Sequence, residues 1–281
     1  MGSGHITQTD QPFGAISSEQ KTLWAPLYES VLTIIGSTGV IIPLGDTNSE
    51  AANRTTCTTR GEEQAVFTYS EAVTSFDTIP TLLGPGQTPI ISFNGTDEEA
   101  DTPDATYWSR GTGVADSVFS VGAWVNITDT ATTRTIFSKW QTAANSREYV
   151  FFIGTTEVIS IYMRDESAAV NATRDTDTAL TTGSWRFVVV TYDGGGGATA
   201  ANGLVIYDNG AVKASTATNN ALYVAMENTA VTPSLGKITD PTQYFAGSMA
   251  GGPLGPFFTQ TQLSADAILR LYQLGRAALG V

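Results

Sequence analysis

The stretch from Trp185 to Ser215 constrains the fold of this chain more than any other part of the sequence. Trp185–Tyr192 is a run of aromatic and β-branched residues, which suit the half-buried surface of a β-strand. The glycine run Gly194–Gly197 ends this strand, because glycine loses the most conformational entropy when it is ordered. The pair Asn209-Gly210 favours the positive φ angles of a type I′ hairpin turn. The stretch therefore predicts antiparallel β structure, and it carries no evident catalytic group.

From Ile90 onwards, short apolar runs alternate with turn-forming residues, as in an all-β domain. The predicted strands are Ile90–Phe93, Phe119–Ile127, Arg134–Lys139, Tyr149–Ile153, Val158–Arg164, Trp185–Tyr192, Leu204–Tyr207, Ala211–Ser215, Val231–Leu235, Tyr244–Met249 and Gly255–Phe258. One helix closes the chain, with Ser264 as its predicted N-cap and Gly275 at the left-handed position that ends it. The pattern predicts an all-β fold, a two-sheet antiparallel β-sandwich of the jelly-roll type with a short C-terminal helix.

The N-terminal part of the chain does not follow this pattern. We place a domain boundary near residue 75, which separates an N-terminal segment (1–75) from a jelly-roll domain (76–281). Val31–Ile35 and Val40–Leu44 are β-branched runs on either side of a glycine-bounded turn, which predicts a small β-hairpin. Such a β or extended segment is expected to attach the domain to a partner by strand addition or apolar docking. The residues expected to make this attachment are Leu23, Trp24, Leu27, Val31, Ile34, Ile35, Val40, Ile41 and Ile42.

Composition argues against several classes of protein. Cys57 is the single cysteine and His5 the single histidine, so a disulfide framework, a Ser-His-Asp triad and a multi-histidine zinc site are not expected. The formal charge of −13 argues against a nucleic-acid partner, because phosphate binding needs clustered Lys and Arg. Leu23–Leu44 is interrupted by prolines, glycines and a glutamate, so it does not predict a membrane span, and the N-terminus shows no signal-peptide pattern.

The order of segments resembles a known family, the concanavalin A-like lectin/glucanase fold and its laminin-G-like branch. The most specific piece is Gly183–Gly194 (GSWRFVVVTYDG), followed at the expected place by Val205–Gly210 (VIYDNG). Phe119–Val125 (FSVGAWV) and Leu263–Tyr272 (LSADAILRLY) are similar to an early strand and to the closing helix of that family. The resemblance covers roughly residues 76–281 and implies a lectin-like sandwich.

Many members of this family hold calcium, and the resemblance would place its ligands near Asn94 and Asp97. The carboxylate that often follows the closing Phe-x-Gly is missing here, since the chain reads Phe245-Ala-Gly-Ser. Calcium takes six or more oxygen ligands, several of them usually charged. Two candidate ligands form a poor set, so we expect no cofactor.

Candidate chemistry is limited to carboxylates and aromatic rings. Glucanases of this fold use paired carboxylates, but the acidic run Asp97–Asp101 has no interleaved strand pattern and is interpreted as a solvated loop, so no enzyme activity is expected. Exposed aromatic rings can stack on sugars. Tyr107, Trp108 and Trp140 are the candidates for carbohydrate binding because they flank the predicted strands, and packing beneath loops is the alternative for each.

The fold class and the composition point to different compartments. Laminin-G-like modules usually belong to extracellular proteins, yet the chain has neither a disulfide nor a recognisable export signal. A virion surface protein of a tailed phage reconciles these observations, with capsid decoration preferred to a tail fibre. Expected partners are the major capsid protein, further copies of the chain in a homo-oligomer such as a trimer, and a weakly bound glycan. The alternatives are a receptor-binding fibre, a non-viral carbohydrate-binding lectin and a glycoside hydrolase.

Overall fold

The computed structural model describes residues 18–46, 55–70, 81–83, 88–127, 132–239 and 242–281. The helices are α1 (Ser18–Ile35) and α2 (Ala265–Leu279), with 3₁₀ turns at Gly197–Gly203 and Gly252–Leu254. The strands up to Tyr192 are β1 (Gly39–Ile41), β2 (Thr56–Thr58), β3 (Arg60–Gly61), β4 (Val66–Ser70), β5 (Thr81–Leu83), β6 (Thr88–Asn94), β7 (Glu99–Asp101), β8 (Phe119–Asn126), β9 (Arg134–Gln141), β10 (Ser146–Ile153), β11 (Ile159–Asp165), β12 (Val170–Thr176) and β13 (Arg186–Tyr192). The later strands are β14 (Leu204–Asp208), β15 (Ala211–Val212), β16 (Ser215–Thr218), β17 (Ser234–Leu235), β18 (Lys237–Thr239), β19 (Thr242–Tyr244), β20 (Ala246–Ala250) and β21 (Phe257–Thr259).

Within the described ranges these strands form two large antiparallel sheets. Sheet I has the order β15-β14-β13-β8-β20-β6-β5, and β21, β1 and β3 extend it from β8. Sheet II has the order β16-β12-β11-β10-β9-β17-β7-β4-β2, and β18 and β19 form a separate hairpin. The sheets enclose one large apolar core, which includes Phe119 and Val188 of sheet I and Phe137 and Tyr149 of sheet II. The predicted all-β, two-sheet sandwich is confirmed.

A second apolar core lies on the outer side of sheet I. Trp124 and Phe187 project from the sheet into a cluster that includes Ile268 and Leu271 of α2 and Trp24 of α1. The rings of Trp124 and Phe187 are 5.1 Å apart, and the ring of Tyr272 stacks on Trp124 at 5.6 Å. Both helices therefore cover the outer face of sheet I. The described part of the chain has no helix that is long and apolar enough to cross a membrane.

The hairpin predicted over Val31–Ile35 is wrong, because this run is the last part of α1. Trp24, Tyr28, Val31 and Ile35 recur at helical spacing and are all buried. Packing this apolar stripe on sheet I outweighs the β propensity of the valine and isoleucines, which is a weak preference that depends on context. Gly36 follows the helix with φ 84° and turns the chain into β1.

The N-terminal segment is part of the sandwich. β1 pairs with β21 in sheet I, and β2 and β4 pair with each other and join β7 in sheet II. The boundary near residue 75 therefore does not separate two folding units. Most of the residues expected to attach the domain to a partner fill its own cores instead: Trp24, Val31, Ile35, Val40, Ile41 and Ile42 are buried, and Leu27 and Ile34 pack partly buried beside them. The Leu23 side chain lies outside the described residues.

The stretch from Trp185 to Ser215 adopts the predicted strand and hairpin. β13 and β14 pair side by side, and Asn209 and Gly210 have φ angles of 52° and 80° in the turn before β15. The chain then crosses to the other sheet, where β16 pairs with β12. The sequence did not predict β12, because Val170–Thr176 (VNATRDT) carries small and polar side chains rather than an apolar run.

The C-terminal helix begins as predicted and ends later. The Ser264 side chain accepts a hydrogen bond from the Ala267 backbone N–H at 3.2 Å, which is the expected N-cap. The left-handed residue that ends the helix is Gly280, with φ 69°, and not Gly275. Gly275 lies within the helix, where a Cβ atom would be 2.2 Å from Trp124 Nε1. Glycine is required there for close packing of the helix on sheet I.

We therefore expect Gly275→Ala to destabilise the fold, although alanine favours a helix. The added methyl group must displace the Trp124 indole, and overpacking of this kind costs roughly 1–3 kcal/mol. Urea denaturation of the variant checks this value. Gln273→Ala, at an exposed position of the same helix, is the control and should change stability by less than about 0.5 kcal/mol. A Gly275→Ala protein at least as stable as the natural chain would contradict the packing argument.

Candidate functional site

The outer faces of the two sheets differ in what covers them. Sheet I is covered by α1 and α2, whereas sheet II is covered on its outer side by the β18–β19 hairpin, which packs on β9. Polar and aromatic side chains point outward from β10, β11 and β12, beyond this hairpin. A sheet face of this composition, which no helix of the described chain covers, is the candidate functional site.

Strand alternation identifies the side chains on this face. Phe151, Ile161 and Ala172 point into the core, so their neighbours along each strand point outward. The outward residues are also paired across the strands, with Phe152 opposite Ser160 and Ser160 opposite Asp175. We call the following set the outer platform: Phe152, Ser160, Tyr162, Arg164, Asn171 and Asp175.

The centre of the outer platform is an aromatic pair. The rings of Phe152 and Tyr162 are 5.0 Å apart at 82°, an edge-to-face contact, and both side chains are partly exposed. They rest on a small apolar cluster of Trp140, Val150 and Ile238. Burial, followed by the charge of Asp175, raises the pKa of Tyr162, so its hydroxyl stays protonated at neutral pH. The pair offers apolar ring surface with one hydroxyl that both donates and accepts.

Hydrogen-bonded polar pairs lie on two sides of these rings. On one side, the Ser160 hydroxyl donates to Asp175 Oδ1 at 2.5 Å. On the other, Arg164 Nη1 donates to Asn171 Oδ1 at 3.1 Å. These contacts hold the polar side chains in place while leaving Asp175 and Asn171 with further donor and acceptor capacity. Fixed polar groups around an aromatic ring suit a ligand that has both hydroxyl groups and an apolar face.

A charged cluster borders the outer platform. Arg147 donates to both carboxylate oxygens of Glu166, with Nη2 at 2.7 Å from Oε2, and Arg164 Nε is 3.4 Å from the same oxygen. Burial by itself raises the pKa of Glu166, but the two arginines outweigh it and hold the pKa below its usual value. The Arg147 guanidinium also lies 5.9 Å from the Trp140 ring centroid. The two arginines at this border therefore share one carboxylate, Glu166.

Two of the three aromatic residues predicted to bind carbohydrate lie elsewhere. Trp108 is 0% exposed, and its indole contacts Phe67 and Phe258 in the main core. Tyr107 is 9% exposed, and its hydroxyl donates to the Thr38 carbonyl at 2.8 Å. Both residues are therefore packing residues, as in the alternative interpretation of the sequence.

Trp140 lies on the same face as the outer platform but is 8% exposed, packed with Ile238 of β18. Phe152 and Tyr162 were missed because no turn or motif marks them. Their outward direction could have been found from the alternation with Phe151 and Ile161 in two strands that the sequence did predict.

Asn94 and Asp97 do not form a cation site in this fold. The Asn94 carboxamide oxygen accepts from the backbone N–H groups of Thr96 and Asp97, and its Nδ2 donates to Asp97 Oδ1 at 2.8 Å. An N–H donor thus lies where a cation would have to contact both side chains. The described residues also include no cluster of three or more His, Cys, Asp or Glu side chains that could hold a metal ion. The donor set does not fit the calcium site that the resemblance implied.

The interpretation of the acidic run as a solvated loop is wrong. Glu99–Asp101 is strand β7, in which Ala100 enters the core and the two carboxylates lie on the outer side. Glu99 is 6% exposed, and Lys237 Nζ lies 2.6 Å from its Oε1. Burial, followed by the charge of Asp101, raises the pKa of Glu99 to about 7. Because Glu99 is buried and paired with Lys237, it does not have the open position of a carboxylate that contacts a sugar from one side of a glycosidase cleft.

The class of protein that this fold defines is a lectin-like jelly-roll domain, and the family comparison agrees. The model of a laminin-G-type family described as the concanavalin A-like lectin/glucanases superfamily matches residues 94–251, more than half of the chain. The chain belongs to this family. A search of curated proteins found no sequence match.

Solved structures with low sequence identity share the fold. The binding domain of botulinum neurotoxin serotype G matches with a TM-score of 0.55 at 14% identity, covering 85% of this chain and 51% of that one. A structure of botulinum neurotoxin type C matches with a TM-score of 0.56 at 13% identity, covering 86% of this chain and 52% of that one. Cell entry of that toxin is described as dependent upon interaction with two ganglioside molecules. Domain 4 of AbnA, a GH43 extracellular arabinanase from Geobacillus stearothermophilus in complex with arabinotriose, matches with a TM-score of 0.50 at 14% identity, covering 84% and 98%. The chain thus spans about half the length of the neurotoxin domains.

The buried Glu99 carboxyl should make stability depend on pH. Its pKa rises from 4.5 to about 7 on folding, so between these values the folded chain binds a proton that the unfolded chain has released. Stability from this group is present below pH 4.5 and is lost as the pH rises to 7, by an amount on the order of 3 kcal/mol at most. Urea denaturation at several pH values, compared between the natural chain and Glu99→Gln, measures the difference.

Asp97→Asn is the matched control, because that carboxylate lies in the adjacent exposed turn. It should keep the pH dependence of the natural chain, whereas Glu99→Gln should flatten it between pH 4.5 and 7. Identical curves for the natural chain and Glu99→Gln would show that the Glu99 carboxyl does not retain its proton in the folded protein.

Proposed function

We propose that this domain binds carbohydrate on the outer platform and has no catalytic role. The observation that carries the proposal is the Phe152–Tyr162 aromatic pair between two hydrogen-bonded polar pairs, on a sheet face that no helix of the described chain covers. Sugars present apolar C–H surfaces and hydroxyl groups together, which match ring faces and fixed polar side chains. The family contains lectins, and AbnA domain 4, which shares the fold, was solved with arabinotriose.

We infer that the glycan is neutral. The guanidinium donors of Arg147 and Arg164 are already engaged with protein groups, because both arginines contact Glu166 and Arg164 also donates to the Asn171 amide oxygen. The formal charge of the chain, −13, would also repel a polyanionic polysaccharide at low salt. A neutral oligosaccharide needs no guanidinium partner and is not repelled by the negative chain. Its hydroxyl groups can donate hydrogen bonds to, and accept them from, the polar side chains of the outer platform.

Substitution of the platform ring tests the proposal. A glycan array with neutral and acidic oligosaccharides first identifies a ligand, and calorimetry then compares the natural chain with Tyr162→Ala. Loss of one stacked ring should weaken binding by about 0.5–1.5 kcal/mol, or roughly 2- to 12-fold. Trp185→Ala is the matched control, since Trp185 is a half-buried aromatic residue on the opposite, helix-covered side. Equal losses in both variants, or binding only to acidic glycans, would contradict the assignment.

A virion surface location remains our proposal for where such a domain acts. Two observations support this location. The fold is usual for extracellular proteins, yet the single cysteine leaves the chain without an intrachain disulfide. We prefer capsid decoration to a tail fibre. We also expect the chain to act as a homo-oligomer, such as a trimer. The N-terminal residues that the sequence suggested for attachment are committed to the protein's own cores, so another surface must contact the capsid protein.

Purified particles test this location directly. Protein mass spectrometry and immunogold labelling of intact virions should detect the chain at a fixed copy number relative to the major capsid protein. Light scattering of the purified chain should give the mass of an oligomer. A monomer that is absent from purified particles would reject the virion role while leaving carbohydrate binding untouched.

A further inference from the structure

A lysine and two carboxylates meet at one end of the main core. Lys139 of β9 is 0% exposed, and its Nζ lies 2.6 Å from Glu148 Oε1 and 2.9 Å from Asp104 Oδ1. Its Nζ also donates to the Thr229 carbonyl. Glu148 points inward because the pairing of β9 and β10 is irregular between Arg147 and Tyr149, and such a bulge turns an additional side chain toward the core.

The two oxygens of the Glu148 carboxylate differ in the hydrogen bonds that they accept. Oε1 accepts from Lys139, from the Ser109 hydroxyl, and from the backbone N–H and hydroxyl of Thr229. Oε2 is buried and has no hydrogen-bond partner. Burial, opposed by the charge of Lys139, raises the pKa of Glu148. A buried carboxylate oxygen without a donor is costly, and a buried ion pair by itself is weak evidence of a purely stabilising role.

We propose that Lys139 and Asp104 form an intramolecular isopeptide bond, with Glu148 as the acid–base catalyst. A lysine amine is a nucleophile once it has lost a proton, and burial favours proton transfer from ammonium to carboxylate because both products are neutral. The amine is already in contact with the carboxyl group that it would attack, so reaction needs little further ordering. Glu148 contacts the same nitrogen and has a free oxygen to carry the proton.

The reaction balances without any other reagent. The Nζ lone pair forms a bond to Asp104 Cγ, and one Cγ–Oδ bond breaks. Of the three protons on the ammonium, one stays on the amide nitrogen and two leave with the departing Oδ as water, passed by Glu148, which ends in its starting state. The ammonium and carboxylate charges cancel, so a neutral amide and one water molecule are the products.

The bond would join two parts of the sandwich that are distant in sequence. Asp104 lies in the loop after β7, and Lys139 lies in β9, with β17 between these strands in sheet II. The cross-link would therefore secure a loop at the end of the sandwich to a central strand. Asp104 has a partly exposed side chain (27%), so water can leave from the loop side.

Mass spectrometry of the purified full chain, incubated at neutral pH, tests the proposal. The natural chain should be lighter than its calculated mass by one water molecule, and a tryptic digest should contain a branched peptide that joins Asp104 to Lys139. Trypsin should not cut after Lys139, because its amine is acylated. The branched peptide is essential to the test, since cyclisation at Asp193-Gly194 would also remove water.

Variants at the three positions separate catalysis from structure. Asp104→Ala should have its full calculated mass and remain folded by circular dichroism, since this side chain is partly exposed. Asp104→Asn should lose ammonia instead of water, a result that an ion pair alone cannot produce. Glu148→Gln should slow bond formation by roughly a hundredfold, the usual contribution of a positioned acid–base group.

Lys237→Arg is the matched control, because Lys237 forms an equally short ion pair with Glu99 on the outer side of sheet II but its side chain is 18% exposed. It should keep the mass loss and the branched peptide. The proposal is overturned if the natural chain retains its full mass, if the branched peptide is absent, or if the mass loss disappears in Lys237→Arg and persists in Asp104→Ala.

Discussion

The structure depends on the burial of both faces of sheet I. Residues on its inner side pack against sheet II, and residues on its outer side, Trp124 and Phe187 among them, are as apolar as a core. A sheet that is apolar on both faces must be covered twice, since exposing rings of this size to water costs about 25 cal/mol per Å² of surface. The helices α1 and α2 provide the second cover, and sheet II is left as the sheet whose outer face no helix of the described chain covers.

This division of faces explains which aromatic side chains are buried beneath helices and which remain partly exposed. Aromatic residues on the outer side of sheet I pack against a helix and serve stability, whereas Phe152 of β10 and Tyr162 of β11, on the outer face of sheet II, remain partly exposed. A buried polar residue also serves the structure. Asp116 is drawn inward, where it accepts from Tyr192, Tyr223 and the Met226 backbone and holds the loops at one end of the sandwich. Burial raises the pKa of Asp116, and the hydrogen bonds from Met226, Tyr192 and Tyr223 oppose that rise.

Local patterns predicted much of the fold. The alternating pattern of β8, the β-branched run of β13, the Asn209-Gly210 turn and the Ser264 cap each follow from a few adjacent residues, and each is present. Predictions failed where a distant partner decided the outcome. The Val31–Ile35 run is helical because its stripe lies on sheet I, and β7 and β12 are strands although their sequences are polar, because neighbouring strands complete their hydrogen bonds. Two of the three predicted sugar contacts failed because flanking a strand does not determine whether a side chain points into the core.

The sequence by itself determined that this chain forms an antiparallel β-sandwich with a capped C-terminal helix, because strand propensity, turn chemistry and capping act over a few neighbouring residues. Tertiary structure alone decided that the rings of Phe152 and Tyr162 lie in contact, that Lys237 pairs with Glu99, and that Lys139 meets Glu148 and Asp104. These arrangements depend on strand register, on one bulge and on which faces are already covered. Such features are set by contacts between residues far apart in the chain, and no local pattern encodes them.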